Sequence, residues 1–184
     1  MHATSVMQQL DALASLLDYP GDQTLPEIHE TAVSLQSIGG DVGRCVEKYL
    51  AGIDGQDIPA LEETYTRTFD ISPLCCLECG WHLFGESYDR GGFLVEMRGK
   101  LRELGVEETT ELPDHLSALL RLQGRLIPDE AAVFADKRLK VAVQKMLDGF
   151  GDGNSPYRSL IEATSHLLGS IFPSPDRTEV SHVQ

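Results

Sequence analysis

The spacing of apolar residues limits this chain most, because it is helical from near the first residue to near the last. Leu10, Leu13 and Leu17 stand at i, i+3 and i+7; Leu61, Tyr65 and Phe69 recur every fourth residue. The same period returns in Leu94, Met97, Leu101 and Leu104, in Leu116, Leu119 and Leu120, and in Leu139, Val143 and Met146. No stretch of useful length alternates with the period of two that a strand requires. The expected fold is all-α: a single-domain helical bundle of roughly eight to ten helices over residues 1–173, packed ridges into grooves. The polar stretch 174–184 is expected to be disordered.

Proline and glycine punctuate the pattern. Pro20-Gly21 stops the first helix, and Gly39-Gly40 ends a second over 25–36. A short third helix over 42–51 turns Val42, Val46, Tyr49 and Leu50 inward. Asp57 can cap the fourth, with Pro59 tolerated in its first turn. Ser72-Pro73 restarts the chain, since the residue before proline leaves the α region. The spacing then predicts a helix over 73–84. Leu74, Leu77, Trp81 and Phe84 share one side of it, and Cys75, Glu78, Cys79 and His82 an adjacent side.

Gly85 ends that helix, Ser87 or Asp89 caps the next, and Gly105 sits where a C′ glycine belongs. Gly91 and Gly92, each costing ~1 kcal/mol of helix relative to alanine, predict close approach of a neighbouring helix. Pro113 is expected to open a helix to about residue 124 and Pro128 another. Residues 149–154 read as a loop, after which Ser155 caps the last helix with Pro156 at N1.

A chain of 184 residues can bury a sizeable core. Asp and Glu number 29 against 15 Lys and Arg, a net charge of -14. Such a chain repels nucleic acid and anionic lipid and attracts basic peptides; the simpler consequence is solubility. No segment approaches the ~20 apolar residues that span a bilayer, and no signal-peptide pattern opens the chain. Four cysteines, three of them at 75, 76 and 79, do not form a secreted disulfide framework, so a reducing cytoplasm is expected.

Two clusters could carry chemistry. Cys75, Cys79 and His82 are zinc-type donors, and a small metal- or thiol-dependent redox protein is the alternative they raise. One straight helix cannot wrap three ligands around a tetrahedral ion, however, and no second CxxC exists. The reading as small apolar packing residues is preferred. Glu111, Asp114 and His115 could form an acid/base group. No nucleophile motif accompanies them, and Asp114 near a helix start fits the macrodipole. Trp81, the only tryptophan, reads as core by its spacing, although it could line a groove with its N–H free. There is no Walker loop and no G-x-G-x-x-G. No cofactor and no catalytic residue are expected.

The order of several short stretches resembles the NarJ/TorD family of molybdoenzyme assembly chaperones, closest to the branch serving nitrate reductase. Tyr65, Phe69 and Asp70 match its Tyr-x-x-x-Phe-Asp, followed by Pro73 and then Arg90-Gly91. Glu111-Leu112-Pro113-Asp114-His115 follows, between Leu17-Asp18-Tyr19-Pro20 and Ser155-Pro156-Tyr157. The cysteines depart from that branch, where serine and aromatic residues are expected. The resemblance implies a cytoplasmic, non-enzymatic chaperone. It would bind the apo catalytic subunit of a molybdenum oxidoreductase, at its N-terminal leader, while molybdopterin cofactor is inserted. For an exported client it would mask a twin-arginine leader. It also implies a peptide groove, expected to involve Tyr65, Phe69, Asp70, Trp81, Glu111, Pro113, Asp114 and His115. The last segment is expected to form the rim, facing solvent in the free protein. Monomer and dimer both fit.

Overall fold

A computed structural model describes residues 5–151 and 155–173. The polar tail expected to be disordered lies outside the described residues. Among the described residues ten α-helices follow one another: α1 (Val6–Leu16), α2 (Leu25–Gln36), α3 (Gly40–Ile53), α4 (Ile58–Phe69), α5 (Cys79–Phe84), α6 (Tyr88–Glu103), α7 (Leu116–Gln123), α8 (Pro128–Phe134), α9 (Lys140–Phe150) and α10 (Pro156–Ile171). Among the described residues there is no strand, only an isolated antiparallel bridge between Glu78 and His115. The all-α expectation holds.

Local chemistry sets most boundaries. Ser5 and Gln8 close a capping box on α1, and Thr24 and Glu27 do the same on α2. The Ala60 N–H donates to Asp57 at 3.0 Å, and the Tyr157 N–H to Ser155 at 3.3 Å. α6 ends in a Schellman turn. Val106 N–H donates to the Leu101 carbonyl at 2.9 Å and Gly105 N–H to Arg102 at 3.2 Å, with Gly105 at φ +67.

The inward stripes build one core. α3 lies along α10, α1 packs on α7 and on α2, and α9 touches both α10 and α5. Leu10, Leu13, Leu61, Leu116, Leu119 and Leu160 are fully buried within it. Truncating any of these to alanine costs about 2–5 kcal/mol. Tyr49, Tyr65, Phe69, Phe150 and Tyr157 form a ring-on-ring cluster at its centre, with centroids 5.0–6.3 Å apart. A π-helical turn at Ala135–Leu139 joins α8 to α9 and keeps Ala135, Leu139, Val143 and Met146 buried.

Three expectations fail. The helix predicted over 73–84 forms only from Cys79. Residues 73–78 need no helix, because their backbone groups find partners elsewhere. The Leu77 carbonyl accepts from Leu116 N–H at 2.8 Å, the Cys76 carbonyl from His82 Nε2 at 2.8 Å, and Cys79 N–H donates to the Asp114 carbonyl at 2.8 Å. Leu74 is left 63% exposed. Secondly, α7 starts at Leu116 rather than Pro113, since residues 112–115 form a turn, closed by His115 N–H on the Leu112 carbonyl at 2.9 Å, and His115 bridges to Glu78. Finally, no close helix approach explains Gly91 or Gly92: among the described residues a Cβ at either would meet nothing within 4 Å.

Candidate functional site

The expected groove residues separate into a buried layer and an exposed one. The buried layer is a chain of hydrogen bonds. His115 is the N-cap of α7: its Nδ1 accepts from the Ser117 N–H at 3.3 Å and lies 2.8 Å from the Ser117 hydroxyl. Nδ1 therefore carries no proton, and Nε2 does. Nε2 lies 3.5 Å from the Tyr65 hydroxyl, which donates to the Leu17 carbonyl at 3.1 Å. Burial holds the His115 imidazole down at about 4, well below the ordinary histidine value, so it is neutral. Burial pushes the Tyr65 phenol far up. The His115 side chain thus links the end of α1, through Tyr65 of α4, to the start of α7.

Asp114 lies next to this chain and is fully buried. Its Oδ2 accepts from the Gly80 N–H at 3.1 Å and faces Arg90 Nε at 3.5 Å. Only glycine fits at 80, where a Cβ would lie 2.5 Å from Asp114 Oδ2 and 3.1 Å from the Phe93 ring. Burial raises the Asp114 carboxyl; Arg90 and the Gly80 N–H oppose that rise. The rim expectation is therefore corrected. Asp114 is 0% and His115 3% exposed, and Pro113 is buried with them. The segment bonds inward because its polar groups complete α5 and α7.

Outside this layer is an open hollow of about 390 Å³, lined by Phe69, Asp70, Pro73, Cys76, Glu78, Trp81 and Arg90. Trp81, expected in the core, is half-buried, and its ring lies 5.8 Å beneath the Arg90 guanidinium carbon. Asp70 is exposed and Glu78 half-buried. Glu111 is exposed close by: burial raises its carboxyl first, and then the charges of Glu78, Asp70 and Asp18. Asp18 is itself held by Arg121, at 3.1 and 2.5 Å. A second hollow, of about 470 Å³, opens on the other side of Arg90 between Tyr88, Gly91, Leu94 and Leu112. Of the predicted residues, Phe69, Asp70 and Trp81 share one wall system, whereas Tyr65, Pro113, Asp114 and His115 support it from behind. Glu78, Cys76 and Arg90 were not anticipated as lining. Arg90 could have been found from its Arg-Gly motif, placed five residues beyond the Gly85 stop of α5.

The cysteines do not make a reactive centre. The Cys76 Sγ lies 3.7 Å from His82 Nε2, but that nitrogen donates to the Cys76 carbonyl. The imidazole proton is thus directed away from the thiol, and burial pushes Cys76 up to about 12. Cys75 and Cys79 are buried and also raised by desolvation. Among the described residues, no three His, Cys, Asp or Glu side chains are grouped to hold a metal ion. No helix among them is long and apolar enough to cross a membrane.

The family model described as nitrate reductase delta subunit matches residues 9–159. The chain belongs to that family. Among its relatives, the nitrate reductase molybdenum cofactor assembly chaperone NarJ of Escherichia coli K12 is 26% identical over 129 residues, covering 68% of this chain and 55% of that protein. The chain thus spans about half the length of this E. coli relative. The probable nitrate reductase molybdenum cofactor assembly chaperone NarJ of Bacillus subtilis is 26% identical over 175 residues, covering 93% of this chain and 94% of that protein. The matched stretch of the delta subunit family takes in both hollows and the buried layer behind them.

Proposed function

We propose that this chain is a cytoplasmic assembly chaperone for the catalytic subunit of a molybdenum oxidoreductase of the nitrate reductase type. It binds the apo subunit at a basic, amphipathic N-terminal leader and holds it while molybdopterin cofactor is inserted. It acts by binding, without turnover. The observation that carries this reading is the joined acidic and apolar surface around Trp81, on a member of the delta subunit family. Apolar leader residues rest on Leu94, Leu112 and the Trp81 ring, and basic ones face Asp70, Glu78 and Glu111. Tyr65, Pro113, Asp114 and His115 contribute by fixing those walls.

The test is co-expression with the catalytic subunit. The chain should co-purify with the cofactor-free subunit and dissociate from the loaded one. With a synthetic leader, association should slow as salt rises, because the screening length is only ~10 Å at 0.1 M. Asp70→Asn with Glu111→Gln should flatten that slope. Equal affinity for loaded and cofactor-free subunit would sink the proposal.

A further inference from the structure

Arg90 is placed badly for a permanent clamp. It stands in the first turn of α6, where the helix dipole disfavours a cation. It faces Asp114 Oδ2 as an ion pair at 3.5 Å, and Nε makes no hydrogen bond there. Arg90 Nε and Asp114 Oδ1 are both buried and, among the described residues, have no hydrogen-bond partner. Buried polar atoms, and above all atoms of a charged pair, are rarely left in that state. The guanidinium lies over the half-buried Trp81 ring and forms the partition between the two hollows. The side chain retains 23% exposure, while the carboxylate behind it retains none. A position with an indole face, a fully buried carboxylate with a vacant oxygen, and Glu78 and Asp70 on its rim is built for a cation.

We propose that Arg90 is an internal stand-in for a cationic side chain of the bound peptide. It occupies a seat formed by Trp81, Asp114 and Glu78, and an arginine of the peptide displaces it. Once Arg90 swings out, the hollows of about 390 and 470 Å³ become one groove. An incoming guanidinium, free of the α6 backbone, can present its fork to both oxygens of Asp114 and stack on Trp81. Arg90 then lowers affinity for basic peptides and raises selectivity, because only a side chain that replaces its contacts can open the groove. A neutral side chain would leave Asp114 buried and uncompensated. This inference rests on the basic-leader reading and adds to it the residue that gates the site.

Trp81, the only tryptophan, reports on the seat directly. The probes are a synthetic amphipathic peptide bearing paired arginines and the same peptide with citrulline at both positions. Binding is followed by calorimetry and by Trp81 emission. Wild type should prefer the arginine peptide, with a saturable emission change that the citrulline peptide does not give. Arg90→Gln should bind the arginine peptide roughly three- to tenfold more tightly, the range of a cation–π contact, and the citrulline peptide no more tightly. Arg90→Lys, which keeps the charge but stacks less well, should show a smaller gain in the same direction and serves if Arg90→Gln does not fold. Unchanged or weaker arginine-peptide binding by the cooperatively melting variants overturns the proposal. Binding with no Trp81 response and no arginine preference removes the seat but leaves the leader reading standing. No calorimetric binding to any form removes both.

Discussion

The hydroxyl of Tyr65 lies 3.5 Å from Nε2 of His115, with both side chains buried although 50 residues separate them. This contact ties the most recognisable stretch of α4 to the segment that precedes α7. It also fixes a neutral imidazole, because Nδ1 is already occupied as the cap acceptor for Ser117.

That neutrality gives a pH dependence. The imidazole is held at about 4 in the folded chain, against ~6.5 when unfolded. Between these values the unfolded chain binds more protons, so stability is full above about pH 6.5 and is lost as pH falls toward 4. The loss is at most roughly 3 kcal/mol. His82, also lowered by burial, adds in the same direction, whereas the raised carboxyls of Asp114 and Glu111 oppose it at the acidic end. Thermal melts from pH 7 to pH 5 should show the decline. His115→Asn, which keeps a cap acceptor but cannot titrate, should flatten it.

Glycines 80 and 99 should respond oppositely to alanine. At Gly80 the new Cβ collides with Asp114 and Phe93, which costs about 1–3 kcal/mol of overpacking. At Gly99, inside α6, it meets nothing within 4 Å, and the gain in helix propensity is about 0.5–1 kcal/mol. Denaturant midpoints of the two variants, moving to either side of wild type, check this.

Asp114→Ala removes the partner of the Gly80 N–H and strands Arg90, so it should cost about 2–4 kcal/mol. Asp114→Asn retains an acceptor for Gly80 and should cost less. A melting temperature unchanged in the alanine variant would show that the carboxylate does not support α5.

The thiols should be slow. With Cys76 raised to about 12 and Cys75 and Cys79 buried, a chromogenic disulfide reagent at pH 7 should modify the native chain far more slowly than free cysteine. Unfolding should release all four thiols at the ordinary rate. A fast native phase would restore a redox role.

The helices were legible because their apolar spacing and caps are local. Asp57, Gly105 and Ser155 act within a few residues of their own position. The region 73–78 was not legible for the complementary reason. Its periodicity is helical, yet Leu77 pairs with Leu116, and the adjoining Cys79 with Asp114, more than thirty residues away, and spacing says nothing of such partners. The same distant pairing hid the burial of His115 and Asp114. Phe69, Asp70 and Trp81, named from a motif and from aromatic chemistry, line one hollow. Arg90 was seen as part of a motif, but its position over Trp81 follows only from the packing of α5 against α6.

The bonded segment before α7 also bears on the order in which the chain can fold. As the chain leaves the ribosome, α1 to α4 emerge with the Tyr65 hydroxyl lacking its imidazole partner and the Leu77 carbonyl unmet, until His115 and Leu116 follow. α3 must wait longer still, for α10. Such late, non-local closure slows folding and leaves apolar surface uncovered in the nascent chain. The N-terminal half of this chain therefore spends its own synthesis as an unfinished fold.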